Sequence, residues 1–101
     1  MTFERIIALK VTDEGGYQLY RKGMMPILES YGGAFGYDFR ISEVLQSKSE
    51  NSVNRMFTIE FPDRDAMTRF FADPDYLDIR KRYFENAVES VTVISLHEKQ
   101  Q

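Results

Sequence analysis

The stretch IEFPDRDAMTRFFADPDYLDIRKRY, residues 59–83, contains the end of a strand and the starts of two helices. Pro62 cannot continue a hydrogen-bonded sheet, and Asp63 is a good N-cap for a short helix. Asp73 and Pro74 repeat the start signal, because an acidic cap precedes a proline at the first helical position. The stretch therefore predicts a strand, a short helix, a break, and a second helix that follows a curved sheet.

Apolar side chains in these two segments recur at spacings of three and four residues, which is the pattern of helices with one buried face. In the first segment they are Ala66, Met67, Phe70 and Phe71, and in the second they are Tyr76, Ile79, Tyr83, Phe84 and Ala87. We expect both faces to point toward the sheet.

Upstream, ERIIALKV (4–11) reads as a first strand, and Asp13 is placed to cap a helix after it. The inward face of that helix carries Tyr17, Tyr20, Met24, Ile27, Leu28 and Tyr31. Pro26 lies inside this pattern and predicts a kink or a break. Gly32 and Gly33 predict the helix end, since glycine adopts the left-handed conformation of a helix C-terminus at little cost.

The segment AFGYDFRISEVLQ alternates like a strand and predicts that Phe35, Tyr37 and Phe39 face the helices. Asp38 and Arg40 would then face the other way. A polar loop SKSENS leads to VNRMFTIEF as a third strand, and VESVTVISLHE forms the fourth. The order βαββαβ predicts an α+β, ferredoxin-like domain over residues 1–101, with an antiparallel four-stranded sheet and helices on one face.

Composition narrows the classes of partner and site. Thirteen Lys and Arg residues are scattered among sixteen Asp and Glu residues, so the net charge is -3 and no nucleic-acid partner is expected. The chain has no cysteine, which excludes disulfides and thiolate metal sites. Glu4 and Arg5 interrupt the N-terminal apolar segment, so we expect no signal peptide, no membrane span and a cytoplasmic location.

Several motifs resemble the family of domains of unknown function DUF1330, in the dimeric α+β barrel superfamily. They are YQLY, Pro26, YGG, FTIEFPDRDAM and FFADPDYLDIRKR, and together they extend over nearly the whole chain. The resemblance implies a homodimer whose two sheets face each other, with the helices outside. It also implies that Arg80 matches an arginine that follows DPDY in the family. It implies no known reaction.

The candidate catalytic and metal-binding residues have simpler interpretations. His97 is the only histidine, and a lone histidine at a strand end is more typical of a surface or an interface than of a catalytic base. The acid pairs at residues 63–65 and 73–75 are explained as helix caps, so no metal is expected. GGAFG precedes a strand instead of a helix and is not a phosphate loop, and we expect no cofactor.

Tyrosines are the strongest sign of a binding site, because their number exceeds what a small core needs. The candidate ligand-binding residues are Tyr17, Tyr20, Tyr37, Arg80 and Tyr83, with Tyr76 in the same cluster. They favour a small planar or carbonyl-bearing organic ligand between sheet and helices. Core packing is the more common explanation of such tyrosines, and a snorkelling side chain is the more common explanation of Arg80.

Three functions remain open at this point. The first is a dimeric barrel that binds a small organic molecule. The second is an enzyme like the cofactor-independent monooxygenases and isomerases of the superfamily, with Arg80, a tyrosine or His97 assisting proton transfer. The third is a structural or interaction dimer without a ligand.

The sheet face opposite the helices is predicted to form the homodimer contact, because strand alternation gives it too many apolar side chains to leave in water. The predicted dimer face consists of Ile6, Ala8, Asp38, Arg40, Met56, Val91 and Val93, with Val44 nearby.

Overall fold

The computed structural model describes residues 2–99 and shows one sheet with helices on one side. The strands are β1 (Thr2–Val11), β2 (Ala34–Arg40), β3 (Arg55–Phe61) and β4 (Val88–Lys99). The helices are α1 (Glu14–Ser30), α2 (Arg64–Ala72) and α3 (Pro74–Ile79), followed by a π-helical turn (Arg80–Phe84) and a final turn α4 (Glu85–Ala87). The strand order is β2-β3-β1-β4 with every neighbour antiparallel, which confirms the ferredoxin-like α+β prediction.

The predicted helix starts are confirmed by side-chain hydrogen bonds. Asp13 accepts from the Gly16 backbone N–H at 3.0 Å, and Asp63 accepts from that of Ala66 at 2.8 Å. Asp73 accepts from the N–H groups of residues 75 and 76 at 2.8 and 3.2 Å. Local capping thus sets where each helix begins.

The C-terminus of α1 also follows the sequence. Gly32 has a φ of 76°, and its N–H donates to the Glu29 carbonyl, while the Gly33 N–H donates to the Leu28 carbonyl. This pair of bonds is the Schellman arrangement, which satisfies carbonyls that the helix leaves free. The predicted break at Pro26 is wrong, since α1 continues through it to Ser30. Pro26 is exposed, so water can solvate the carbonyl that lacks its helical donor.

A β-bulge in β2 overturns the predicted orientation of its side chains. Phe35 pairs with Ile59, but Asp38 pairs with Phe57, so β2 has one more residue than β3 between these pairs. An extra residue reverses which face the following side chains occupy. Asp38 therefore lies on the helix side.

The residues after the bulge follow the same reversal. Arg40 pairs with Arg55, which also lies on the helix side, so Asp38 and Arg40 were wrongly assigned to the dimer face. Phe39 pairs with Met56 on the opposite face, and Tyr37 stacks on Phe39 at 5.8 Å. The prediction that Tyr37 and Phe39 face the helices is wrong for this reason.

Strand β4 has two irregularities of its own, one opposite Ile6 and Ile7 and one at its start. Val91 pairs with Leu9, whose side chain belongs to the core beneath the helices. The assignment of Val91 to the dimer face is therefore wrong. Val93 pairs with Ile7 and also borders the groove on the opposite face beside Ala8.

The main core lies between the sheet and the helices. Its buried members include the odd-numbered apolar residues of β1 and β3 and the inward residues of α1, α2 and α3. Phe70 and Leu28 have no exposed surface. The open face, by which we mean the sheet face opposite the helices, includes Ile6, Ala8 and Met56 as predicted. Strand β2 ends at Arg40, so Val44 lies in a loop (41–54) that borders this face instead of on a strand.

Candidate ligand-binding site

A cavity of about 270 Å³ lies between the sheet and the helices. Strands β1 and β3 form its floor, while α1, α3 and the π-helical turn form its walls. Most lining side chains are apolar, and they are joined by two tyrosines from α1, one tyrosine from α3 and three arginines. The polar lining residues are Arg5, Tyr17, Tyr20, Arg21, Tyr76 and Arg80.

Two buried tyrosines meet at the centre of this wall. The hydroxyl oxygens of Tyr20 and Tyr76 lie 2.9 Å apart, and either one can donate to the other. Burial raises the pKa of both phenols, although the nearby Arg80 acts to lower it. Both hydroxyls are therefore neutral at ordinary pH, and the pair retains one O–H that can donate to a ligand.

At one end of the cavity lies Arg21, whose charge is compensated by the carboxylate of Asp38. The guanidinium of Arg21 lies 3.9 Å from the ring centroid of Phe35, its Nε donates to the Tyr17 hydroxyl at 2.8 Å, and its Nη1 lies 3.3 Å from a carboxylate oxygen of Asp38. Asp38 also accepts two hydrogen bonds from Arg55, at 2.8 and 2.9 Å, which hold the pKa of its carboxyl below the usual range. Glu14 also lies 3.7 Å from Arg55, so two carboxylates face two guanidinium groups at this end of the cavity.

The other end carries arginines with little neutralisation. Arg5 comes from the middle of β1, and its guanidinium lies 4.6 Å from the ring centroid of Phe71. Arg80 begins the π-helical turn and lies 5.0 Å from the ring centroid of Phe84. Its one ion pair within residues 2–99 is a 4.0 Å contact with the exposed Glu85. Burial lowers the pKa of Arg5, but an arginine remains charged.

The opening of the cavity lies between α3 and the edge strand β4. Leu77 and Val91 line the cavity and are 47% and 41% exposed, whereas Leu9 and Tyr17 at its inner side are almost fully buried. A small molecule can therefore reach the tyrosine pair without unfolding of the helices.

The structure brings together part of the predicted ligand set. Tyr17, Tyr20, Tyr76 and Arg80 all line the cavity. Tyr83 packs against the core but is not among the lining residues. Tyr37 lies on the open face and is 62% exposed, so it cannot contribute to this cavity.

Sequence reasoning missed two of the three arginines. Arg5 shares its face of β1 with Ile7, Leu9 and Val11, and the period of two would have placed it inward. Arg21 follows Tyr17 by four residues and so lies on the same helix face. Charged residues were treated as solvent-facing, which is the more common case.

His97 lies far from this chemistry, on the open face. Its Nε2 is 3.1 Å from a carboxylate oxygen of the buried Glu4, and its Nδ1 is 2.6 Å from the Ser95 hydroxyl. Lys99 lies between Glu4 and Glu60, at 3.6 and 3.5 Å. Because the sheet separates His97 from the cavity, it cannot act on a molecule bound there.

The described residues contain neither a cluster of metal-binding side chains nor a helix that could span a membrane. Within residues 2–99, no three histidine or acidic side chains group in a way that could hold a metal ion. No helix in the same residues combines the length and apolar character needed to cross a membrane.

Residues 5–96 match the family described as "Domain of unknown function (DUF1330)". The chain belongs to the DUF1330 family. No curated protein matches the chain significantly.

Solved structures similar to this DUF1330 protein share its fold at low sequence identity. A protein of unknown function from Rhodopseudomonas palustris has a TM-score of 0.83 at 17% identity, over 99% of this chain and 83% of that one. A dimeric ferredoxin-like protein of unknown function from Jannaschia sp. CCS1 has a TM-score of 0.61 at 18% identity, over 98% and 100%. SnoaB, a cofactor-independent oxygenase from Streptomyces nogalater, has a TM-score of 0.58 at 16% identity, over 99% and 92%. These similarities concern the fold alone.

Proposed function

We propose that this DUF1330 protein binds a small organic molecule in the cavity between its sheet and its helices. The observation that carries the proposal is the cavity itself, which combines apolar walls with the Tyr20–Tyr76 hydroxyl pair and cationic side chains. Ligand sites in proteins have this composition, with mostly apolar walls and a few converging polar groups.

The positions of the polar groups would orient a molecule bound in the cavity. The neutral tyrosine pair can donate a hydrogen bond to a carbonyl or carboxylate oxygen, and Arg80 stands beside it at the opening. Phe35, Phe57 and Phe71 supply flat apolar surfaces for the body of the molecule. A planar, oxygen-bearing compound fits these features best.

The chain has no tryptophan, so a single introduced tryptophan can report binding. We expect Leu77→Trp, at the opening, to change its fluorescence when a library of small aromatic and keto acids and their neutral analogues is added. Leu19→Trp is the matched control, because Leu19 is 51% exposed on α1 and does not line the cavity. A response of both variants, or of neither, would contradict binding in this cavity.

The enzyme alternative has less support from the cavity. Among the described residues that line it there is neither a carboxylate nor a histidine, and burial raises the pKa of all three tyrosines, so they are protonated at neutral pH. Such a lining supplies hydrogen-bond donors but no general base. The cavity therefore favours binding over proton abstraction.

We also propose that the protein is a homodimer joined through the open face. Tyr37 and Phe39 are 62% and 50% exposed there, next to Met56, which is a large apolar surface for a monomer to present to water. The Jannaschia structure is described as dimeric, which supports a dimer here but does not identify the face.

Light scattering behind a sizing column tests the dimer, with the monomer mass at 11.9 kDa. Phe39→Asp should dissociate the pair, because it buries a charge in the contact. Leu19→Asp has a matched exposure on the helix side and should leave the mass unchanged. A monomer of the unmodified chain at micromolar concentration would rule out this assembly.

A further inference from the structure

Arg5 is a partly buried cation that has no anionic partner among residues 2–99. Its neighbours across β3 and β4 are Ile59 and Leu96, and its Nε is buried with no hydrogen-bond partner among residues 2–99. No carboxylate within these residues pairs with it in a salt bridge. The face of Phe71 compensates only part of the lost hydration, because a cation–π contact is weaker than an ion pair with hydrogen bonds.

The groups around Arg5 add donors and positive charge. Tyr20 and Tyr76 contribute neutral hydroxyls, and Arg80 contributes a second guanidinium that is close enough to influence both phenols. Acidic side chains are absent from the described lining of the cavity. This end is therefore prepared for an acceptor that carries negative charge.

The opposite end differs in its charge balance. Arg21 also has a buried nitrogen, Nη2, without a hydrogen-bond partner among residues 2–99, but its charge already faces the carboxylate of Asp38. A ligand with one charged group would accordingly direct that group toward Arg5 and Arg80 and its apolar body toward Met24 and Phe35.

We propose that the ligand is an organic acid whose carboxylate is bound between Arg5 and Arg80, with a hydrogen bond from the Tyr20–Tyr76 pair. This inference rests on the proposed function and names the ligand class for the same cavity. A planar carboxylate matches the guanidinium fork and offers oxygens to more than one donor. It also supplies the counter-charge that Arg5 lacks in the described chain.

The test compares acids with their neutral amides in the Leu77→Trp background. Benzoate, phenylacetate and hexanoate are titrated beside benzamide, phenylacetamide and hexanamide. Each acid should bind more tightly than its amide, by about tenfold or more, since hydrogen bonds to charged groups are stronger than neutral ones. Equal affinity within every pair would overturn the organic-acid inference and leave the proposed function standing.

Substitutions locate the carboxylate. Arg5→Gln and Arg80→Gln should each weaken the acids roughly tenfold or more and leave the amides nearly unchanged. Arg82→Gln is the control, because Arg82 is exposed on the same helical segment and pairs with Asp78 away from the cavity. Circular dichroism checks folding, and if Arg5→Gln does not fold, Arg80→Gln decides. Equal effects on acids and amides, or no effect on either, would overturn the inference.

The two levels of failure are distinguishable. If no acid binds while an amide does, the organic-acid inference is wrong and a ligand site remains. If no compound of either kind changes the fluorescence, both the inference and the proposed function are wrong.

Discussion

The two faces of the sheet accommodate charge in different ways. On the helix side, Arg5 and Arg21 lie against aromatic rings, and of the two only Arg21 has a carboxylate partner in the part of the chain that the structure describes. On the open face, Glu4 lies between His97 and Lys99, and Lys99 also reaches Glu60. The carboxylates of Glu4 and Glu60 on the open face each have a lysine or histidine neighbour, whereas Arg5 on the helix side has no carboxylate partner among residues 2–99.

The contrast extends to the apolar residues. The helix side is covered by the chain's own helices and still leaves a cavity, while Tyr37 and Phe39 on the open face remain exposed. A face with paired carboxylates and exposed rings suits contact with a second protein surface. A covered face with an unbalanced cation suits a small anion.

The largest expected change in stability comes from removing a large side chain from the core between the helices and the sheet. Phe70→Ala should lower the free energy of unfolding by about 3–5 kcal/mol, because Phe70 is fully buried against Phe61 and Tyr76. Denaturant unfolding at several protein concentrations measures it. Phe39→Ala on the open face should instead make stability less dependent on protein concentration, because a weakened dimer gains less from mass action. Equal concentration dependence of the two variants would contradict the distinction between the faces.

A smaller loss of stability is expected from a substitution in the bulge of β2, which determines which of its residues face the cavity. A Cβ on Gly36 would lie 2.5 Å from the Thr58 hydroxyl, so Gly36→Ala should destabilise the fold by about 1–3 kcal/mol. Gly15→Ala is the control, since its nearest atom is 3.7 Å away and alanine favours the helix. Similar melting temperatures for the two variants would contradict the bulge geometry.

The start of α3 is expected to matter by a few degrees in melting temperature. Asp73 caps α3 and also accepts a hydrogen bond from the Tyr31 hydroxyl at 2.7 Å, which joins α3 to the end of α1. Asp73→Ala should therefore lower the melting temperature more than Asp63→Ala, which removes a cap alone. Tyr31→Phe removes only the hydroxyl, so it should lower the melting temperature by about the difference between Asp73→Ala and Asp63→Ala. Equal effects of the two aspartate substitutions would contradict a role for the Tyr31 hydrogen bond.

The same hydrogen bonds make the stabilisation contributed by Asp73 depend on pH. The hydrogen bond from Tyr31 and the two backbone N–H groups hold the pKa of its carboxyl below the ordinary value. A depressed pKa in the folded state means that the stabilisation is fully present above about pH 4 and is lost as the pH falls through the folded value. Melting curves of Asp73→Ala and the unmodified chain should thus converge in acid and diverge at neutral pH.

The smallest effect is expected from the charge pair on the helix side. Asp38→Asn removes the paired hydrogen bonds with Arg55, but the group is partly exposed, so the loss should stay below about 1 kcal/mol. Since this pKa is also depressed, the loss should disappear in acid. Asp65→Asn, in an exposed pair one helical turn from Arg69, should change stability less at neutral pH, and the reverse order would contradict the account.

Much of the candidate site could be predicted from local patterns. The spacing of Tyr17, Tyr20 and Tyr76 on two helices was enough to place them on one wall, because a helix face is set by its own period. Arg80 lies one turn from Tyr76 and Phe84, which placed it on the flank of this face but did not decide between the cavity and water. Tyr37 could not be placed, because its direction depends on a bulge that arises from pairing with β3.

The sequence by itself determined the order of elements, the helix caps and the glycine C-terminus of α1, because these depend on interactions within a few residues. Tertiary structure alone decided the registers of β2 and β4, and with them the faces of Asp38 and Val91. It alone also placed Arg5 in the cavity with no carboxylate partner among residues 2–99, since the partners of a strand residue come from segments distant in the chain.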